Sequence, residues 1–196
     1  MADPVRLSQA VRADIAEQIS ERFGRPGPFL TLEATNHLGD SLKVMLLTVK
    51  AAKRSAGSLE DRLVDTGQWH HQILRANMAR SFARSVPASK AADAKHEVVE
   101  VARSDLPQAV EDSLNAAMAA APPDAEARLI VAPSYQLNAL WLTGPQTDQV
   151  SIVAAPGGPD GLEAGQRFTG DQFVRRVANL EPIAGLGPPP EMRELV

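Results

Sequence analysis

The sequence contains no cysteine and few aromatic residues, and each shortage excludes a class of site. Without cysteine, the chain has no disulfide, no thiolate metal ligand and no cysteine nucleophile. Aromatic residues make up only 4% of the chain, with two Trp and one Tyr. The 196 residues are nevertheless 44% hydrophobic and 22% charged, so the sequence can build a packed core and is not disordered throughout.

Long apolar runs are also absent. The longest candidate, residues 44–49, is far shorter than the roughly 18 residues that a membrane helix needs, and it lies between Lys43 and Lys50. No apolar segment typical of a secretory signal follows the N-terminus. We therefore expect a cytoplasmic protein that does not bind a membrane.

Acidic residues outnumber basic residues, and the two signs are unevenly distributed. The formal net charge is −4 and the pI is about 5.6, which argues against a nucleic-acid partner. Residues 1–90 hold 13 basic and 9 acidic residues, for a net charge of +4, whereas residues 91–196 hold 7 and 15, for −8. Such an asymmetry can orient a protein against a partner or against a second copy of itself.

The hydrophobic pattern alternates between helical and strand spacing along the chain. The N-terminal helix is predicted from an apolar residue at every fourth position: Leu7, Val11, Ile15, Ile19 and Phe23. Alternating segments at 69–86 and 128–155 predict two hairpins. Repeated βαβ spacing with a phosphate loop is not seen in the sequence. The expected fold class is α+β, with an antiparallel or mixed sheet built from hairpins and covered by amphipathic helices.

Residues 42–54 are ambiguous, because their apolar residues fit both a helix and a strand. The abundance of Leu, Lys, Met and Ala favours a helix, with Ser41 as its N-terminal cap and Gly57 as its end. Thr35 to Asp40 then has the composition of a turn, with Asn36 and Gly39.

The tetrapeptide Gly39-Asp40-Ser41-Leu42 resembles the signature block of the GDSL esterases and lipases. In that family the serine of this block is the nucleophile. The family's Gly-x-Asn-Asp segment and its late Asp-x-x-His have no counterpart here, and no histidine follows His96. A serine without a base is not activated, so we interpret Asp40 and Ser41 as a turn and a helix cap.

The four histidines are His37, His70, His71 and His96. Adjacent His70 and His71 point to opposite faces of a strand, so they cannot chelate one ion. No pair has the spacing of a metal site on a helix. His71 shares its strand face with Trp69 and Ile73, which predicts a hydrogen-bonded histidine that is at least partly buried. The aromatic residues Tyr135 and Trp141 are likewise predicted to lie in the core.

Three further patterns are weak signals for anion binding. Residues 157–161 are glycine-rich but lack the Lys-Ser/Thr of a phosphate loop. Arg175 and Arg176 supply two charges, which are too few for an anion platform. Arg80 and Arg84 flank Phe82 in a pattern weakly typical of nucleic-acid binding, but the acidic second half of the chain argues against such binding. We therefore predict no catalytic, cofactor-binding or metal-binding residue and no cofactor.

Composition divides the chain into residues 1–90, residues 91–183 and a Pro-rich tail at 184–196, with the first two parts forming separate domains or one continuous domain. Three prolines stiffen the tail, so it would lose little entropy on docking. The candidate interaction residues are Pro188, Pro189, Pro190, Met192, Leu195 and Val196.

These observations favour a non-enzymatic protein-interaction or assembly component, with a partner protein or a second copy of the chain as its target. Two alternatives stay open from the sequence. One is a small-ligand-binding domain with a pocket between sheet and helices. The other is a small hydrolase whose site is assembled from residues distant in the sequence and leaves no linear motif.

Overall fold

The computed structural model describes residues 7–23, 36–75, 78–89, 94–119, 121–156 and 161–187. Its helices are α1 (Gln9–Phe23), α2 (Val49–Ala52), α3 (Leu106–Met118) and α4 (Gly170–Ala178). Its strands are β1 (Asn36–Leu47), β2 (Leu63–Arg75), β3 (Met78–Pro87), β4 (His96–Arg103), β5 (Glu126–Ala132), β6 (Leu137–Gly144), β7 (Thr147–Ala154) and β8 (Arg167–Thr169). The α+β class expected from the sequence is confirmed. In this part of the chain, no helix has the length and apolar character needed to cross a membrane.

The eight described strands form one mixed sheet in the order β4-β3-β2-β1-β5-β6-β7-β8. The central strands β1 and β5 pair in parallel, with Val44 opposite Leu129. The pairs β2–β3, β3–β4, β5–β6, β6–β7 and β7–β8 are antiparallel. On one side of the sheet, strands β1 to β4 follow one another from the centre to the edge, and the chain then enters α3. On the other side, strands β5 to β8 follow one another from the centre to the edge, and the chain then enters α4. Apart from the four-residue helix α2 between β1 and β2, the order ββββα therefore occurs twice.

Contacts divide the chain into two compact units, each made of two stretches. The first unit comprises Met1–Leu42 and Gly67–Glu111, and the second comprises Lys43–Thr66 and Asp112–Val196. One end of β1 and one end of β2 belong to the first unit, and the other end of each strand belongs to the second unit.

The core of the first unit lies between α1 and one face of the sheet. Val11, Ile15 and Ile19, three residues of the predicted helical stripe, are buried against the strands. The strand side of this cluster consists of Ile73, Ala83 and Val98. Ala83 is completely buried, and its small side chain lets the helix approach β3 closely.

The core of the second unit packs α2 and α4 against β1 and β5–β7. Tyr135 and Trp141 are both 2% exposed and belong to this core, as predicted. The Trp141 Nε1–H donates to Asp148 Oδ1, and the Gly170 N–H donates to Asp148 Oδ2. A Cβ on Gly170 would lie 2.5 Å from that carboxylate oxygen, so a side chain at this position would force the Asp148 carboxylate to move away from its two donors.

The helix favoured for residues 42–54 is wrong for most of that segment. Strand β1 continues to Leu47, and only Val49–Ala52 is helical, with the Ala51 N–H donating to Thr48 Oγ1 as the cap. Leu42 and residues 44–47 are all buried, because this central strand is covered on both faces. A strand buried on both faces has no apolar–polar alternation, and its pattern cannot be distinguished from that of a buried helix.

Candidate functional site

A row of hydrogen-bonded side chains crosses four neighbouring strands of the first unit. Ser41 on β1, His71 on β2, Ser85 on β3 and His96 on β4 form this Ser–His row. Ser41 Oγ lies 2.9 Å from His71 Nδ1, and His71 Nε2 lies 2.7 Å from Ser85 Oγ. Ser85 Oγ lies 2.9 Å from His96 Nδ1. The row joins four strands, and its successive members are 30, 14 and 11 residues apart in the sequence.

Helix α1 closes the Ser41 end of the row through Arg12. The Arg12 Nη1–H donates to Ser41 Oγ over 2.9 Å, and the Nη2–H donates to the Gly39 carbonyl oxygen over 2.8 Å. His71 and Ser85 are completely buried, and His96 is 7% exposed. The row is therefore a polar stripe covered by a helix, with its most accessible atoms at the two ends.

Burial keeps the imidazoles of the row neutral. The pKa of His71 falls to about 3, chiefly because burial penalises the charged ring, and the nearby charges of His70, His96 and Arg12 lower it further. Burial also lowers the pKa of His96, against an opposing effect of the Asp14 carboxylate. Each neutral ring offers one donor and one acceptor nitrogen, and a serine hydroxyl can be both, so the row is satisfied without a charge.

This geometry overturns two interpretations of the tetrapeptide at 39–42. Ser41 is not a helix cap, because it lies inside β1, and a histidine does lie within hydrogen-bond distance of it. The spacing between serine and base matches that of a nucleophile and its base. However, a histidine with a pKa near 3 is a weak base at neutral pH. The row is suited to holding strands together rather than to removing a proton from Ser41.

His70 lies on the opposite face of β2, and its ring is buried in surroundings unlike those of His71. Its ring stacks on Phe82 at a centroid distance of 5.0 Å, and neither ring nitrogen has a partner among the described residues. Arg84 lies over the same phenyl ring, 5.5 Å from its centroid, and forms an ion pair of 3.3 Å with Glu100. The Phe82–Arg84 pattern, weakly typical of nucleic-acid binding in the sequence, is thus used within the protein.

A second cluster lies in the second unit, where β8 leads into α4. Five residues line an open cleft of about 560 Å³: Arg167, Phe168, Gln172, Arg175 and Arg176. We call it the arginine cleft. The sequence analysis counted two arginines here, and the fold adds a third from β8. Sequence reasoning missed Arg167 because it precedes the capping box of Thr169 and Gln172, and only the strand-to-helix turn brings it beside the helix.

Other candidate residues are only partly accounted for. His37 lies at the start of β1, outside the Ser–His row. Most of the glycine-rich segment 157–161, and all six candidate interaction residues of the tail, lie outside the described residues. The described residues at the start of the tail include Leu186, which is 41% exposed, and Ile183, just before the tail, is 36% exposed.

Searches for a metal centre and for known relatives supply no assignment. Within the ranges that the structure describes, no group of three or more His, Asp or Glu residues could hold a metal ion. Comparison of the chain with protein-family models, curated proteins and solved structures finds no match. The function must therefore be argued from the residues themselves.

Proposed function

We propose that this chain is a non-enzymatic protein-interaction or assembly component, and that the segment after α4 carries its contact surface. The supporting observation is a pair of exposed apolar side chains. Among the described residues, four large hydrophobic side chains are exposed by more than a third: Val99, Met118, Ile183 and Leu186. Two of the four, Ile183 and Leu186, lie three residues apart where the tail at 184–196 begins, and this tail is expected from the sequence to dock.

Backbone hydrogen bonds hold this C-terminal segment in a defined turn. The Ile183 N–H donates to the Ser134 carbonyl oxygen over 2.8 Å, and the Leu186 N–H donates to the Ile183 oxygen over 3.2 Å. Gly185, with φ +80°, provides the left-handed residue that the turn needs. A segment that is already ordered loses less entropy on binding than a mobile one, which favours it as a contact surface.

The partner that fits such a surface is a protein, either a different chain or a second copy of this one. Protein interfaces have an apolar core surrounded by a polar rim, and a few residues near the centre carry most of the binding free energy. The tail would continue the surface with Met192, Leu195 and Val196. The cytoplasmic location expected from the sequence is part of the same proposal.

The test replaces the two exposed side chains in the full-length protein. We expect the parent protein to be recovered as an assembly, with itself or with a co-purifying protein, by size-exclusion chromatography with light scattering and mass spectrometry. The Ile183→Ser, Leu186→Ser double variant should lose that assembly while its circular dichroism spectrum stays unchanged. A Val99→Ser, Met118→Ser double variant is the matched control and should assemble like the parent.

Deletion of Gly185 to Val196 removes the second half of the turn, with Leu186, together with the tail anchors. If the tail contributes, the shortened protein should stay folded and assemble less than the parent. The proposal is contradicted if the parent is a monomer without a partner, or if the Ile183, Leu186 double variant assembles as the parent does.

A further inference from the structure

The arginine cleft concentrates positive charge in the part of the chain that has least of it. Residues 91–196 carry a net charge of −8 with only seven basic residues. Three of those seven line this one cleft. A scattered, merely solvating distribution of basic residues would not place three of the seven around a single concavity.

Within the described residues, no acidic side chain neutralises the three guanidinium groups of the cleft. Over the ranges that the structure describes, Arg167, Arg175 and Arg176 form no ion pair, and all three are exposed. The neighbouring Asp171 offers only its backbone, whose carbonyl oxygen accepts from Arg175 Nε over 3.3 Å. By contrast, Arg128 in the same unit pairs with Glu126 at 2.9 Å and lies over a tryptophan ring.

The cleft also offers an apolar surface and a neutral donor. Phe168 is partly buried, because it packs against the core of the second unit while it lines the cleft. Gln172 Oε1 accepts the Thr169 N–H in the capping box, so the amide can offer only its NH₂ group to a ligand. The site therefore combines three cations, a donor and one aromatic ring, and contains no acidic side chain in its lining.

We propose that the arginine cleft binds a phosphorylated small molecule of nucleotide size, with its phosphates on the arginines and a planar ring against Phe168. Guanidinium groups match phosphate oxygens in a bidentate geometry, and three cations in one cleft fit a polyanionic group better than a single carboxylate. The volume of about 560 Å³ lies within the range of small-molecule sites. A single cluster in an acidic unit does not provide the extended basic track that a nucleic-acid backbone needs.

The experiment measures binding to the full-length protein by isothermal titration calorimetry at low and at physiological salt. The probes are ADP, inorganic pyrophosphate and adenosine. ADP carries both the phosphate charge and the planar ring. Inorganic pyrophosphate carries the charge alone, and adenosine carries the ring alone. We expect ADP to bind more tightly than pyrophosphate, and adenosine not to bind measurably. Each of Arg167→Gln, Arg175→Gln and Arg176→Gln should weaken ADP and pyrophosphate binding roughly tenfold, the usual effect of removing a charged hydrogen bond. Arg103→Gln, an exposed arginine of the other unit, is the matched control and should bind as the parent does.

Phe168→Leu isolates the ring contact, because leucine keeps apolar packing against the core. It should reduce ADP binding to the level of pyrophosphate and leave pyrophosphate binding unchanged. The proposal is overturned if neither phosphate probe binds, or if binding does not depend on the three arginines. It is also overturned if a phosphopeptide or an oligonucleotide binds the same arginines more tightly than ADP. The site is independent of the C-terminal contact surface, so the Ile183→Ser, Leu186→Ser variant should bind ADP normally.

Discussion

His70 and His71 are adjacent in the sequence and equally buried, but they differ in whether their ring nitrogens have hydrogen-bond partners. Both rings are completely buried, and burial lowers the pKa of each to about 3. His71 has a hydrogen-bond partner at each ring nitrogen, whereas His70 has a stacked phenyl ring and, within the described chain, no partner at either nitrogen. A buried polar group without a partner costs roughly 1–3 kcal/mol, and a satisfied one contributes modestly to stability.

Replacing the two histidines by leucine should therefore change stability in opposite directions. His71→Leu leaves the Ser41 and Ser85 hydroxyls without a ring partner, and we expect the free energy of unfolding to fall by about 2–4 kcal/mol. His70→Leu removes two unsatisfied nitrogens and keeps apolar contact with Phe82, and it should raise the free energy of unfolding by about 1 kcal/mol. Urea denaturation of both variants measures the difference. Equal losses in the two variants would show that His70 has a partner that the protein structure lacks.

At the scale of elements, the edge strand β4 is covered by a side chain of α1. Gln18 Nε2 donates to the His96 carbonyl oxygen over 2.6 Å, and the Val98 N–H donates to Gln18 Oε1 over 3.0 Å. The amide thus pairs with two outward-facing backbone groups of β4, as a neighbouring strand would. Edge strands with free backbone groups are templates for pairing with another chain. Gln18 therefore both attaches α1 to the sheet and protects its edge.

Gln18→Leu should expose this edge, because leucine has no amide with which to pair the backbone groups of β4. We expect the variant to self-associate, and the associated fraction to increase with protein concentration, because the freed backbone groups of β4 can pair with another molecule. Light scattering across a concentration series measures the effect. Gln9→Leu, an exposed position on the same helix, is the control for added hydrophobicity. Identical scattering from the two variants would mean that Gln18 does not guard the edge.

At the scale of the whole molecule, the buried histidines make stability depend on pH. Both have folded-state pKa values of about 3, against 6.5 when exposed. As the pH falls below 6.5, the unfolded chain takes up protons that the folded chain does not, so the free energy of unfolding falls, and the loss continues until about pH 3. The direction follows from burial, which is the main cause of both shifts.

The expected size is about 1.4 kcal/mol per pH unit for each histidine, or about 2 kcal/mol each between pH 6.5 and pH 5. Urea denaturation at pH 7, 6 and 5 should show this decline, and His70→Leu should remove about half of it. A free energy of unfolding that is constant between pH 7 and pH 5 would contradict the neutral, buried state of the two rings.

Local features of the molecule follow from the sequence by itself. The spacing of Val11, Ile15 and Ile19 determined which side of α1 is buried, and the pair Thr169 and Gln172 determined where α4 begins. Trp141 was predicted to lie in the core, and it does. These features depend on residues within a few positions of one another, where periodicity, capping and hydrophobicity act without knowledge of the rest of the chain.

Only the tertiary structure decided which distant residues meet. The parallel pairing of β1 with β5 joins segments about eighty residues apart, and it is this pairing that makes β1 a central strand rather than the helix favoured by its composition. The Ser–His row depends on strand register, because a shift of one residue would turn His71 to the opposite face. Arg167 joins the arginines of α4 through a turn in the chain. Register and turns are set by the packing of the entire sheet, which no short stretch of sequence contains.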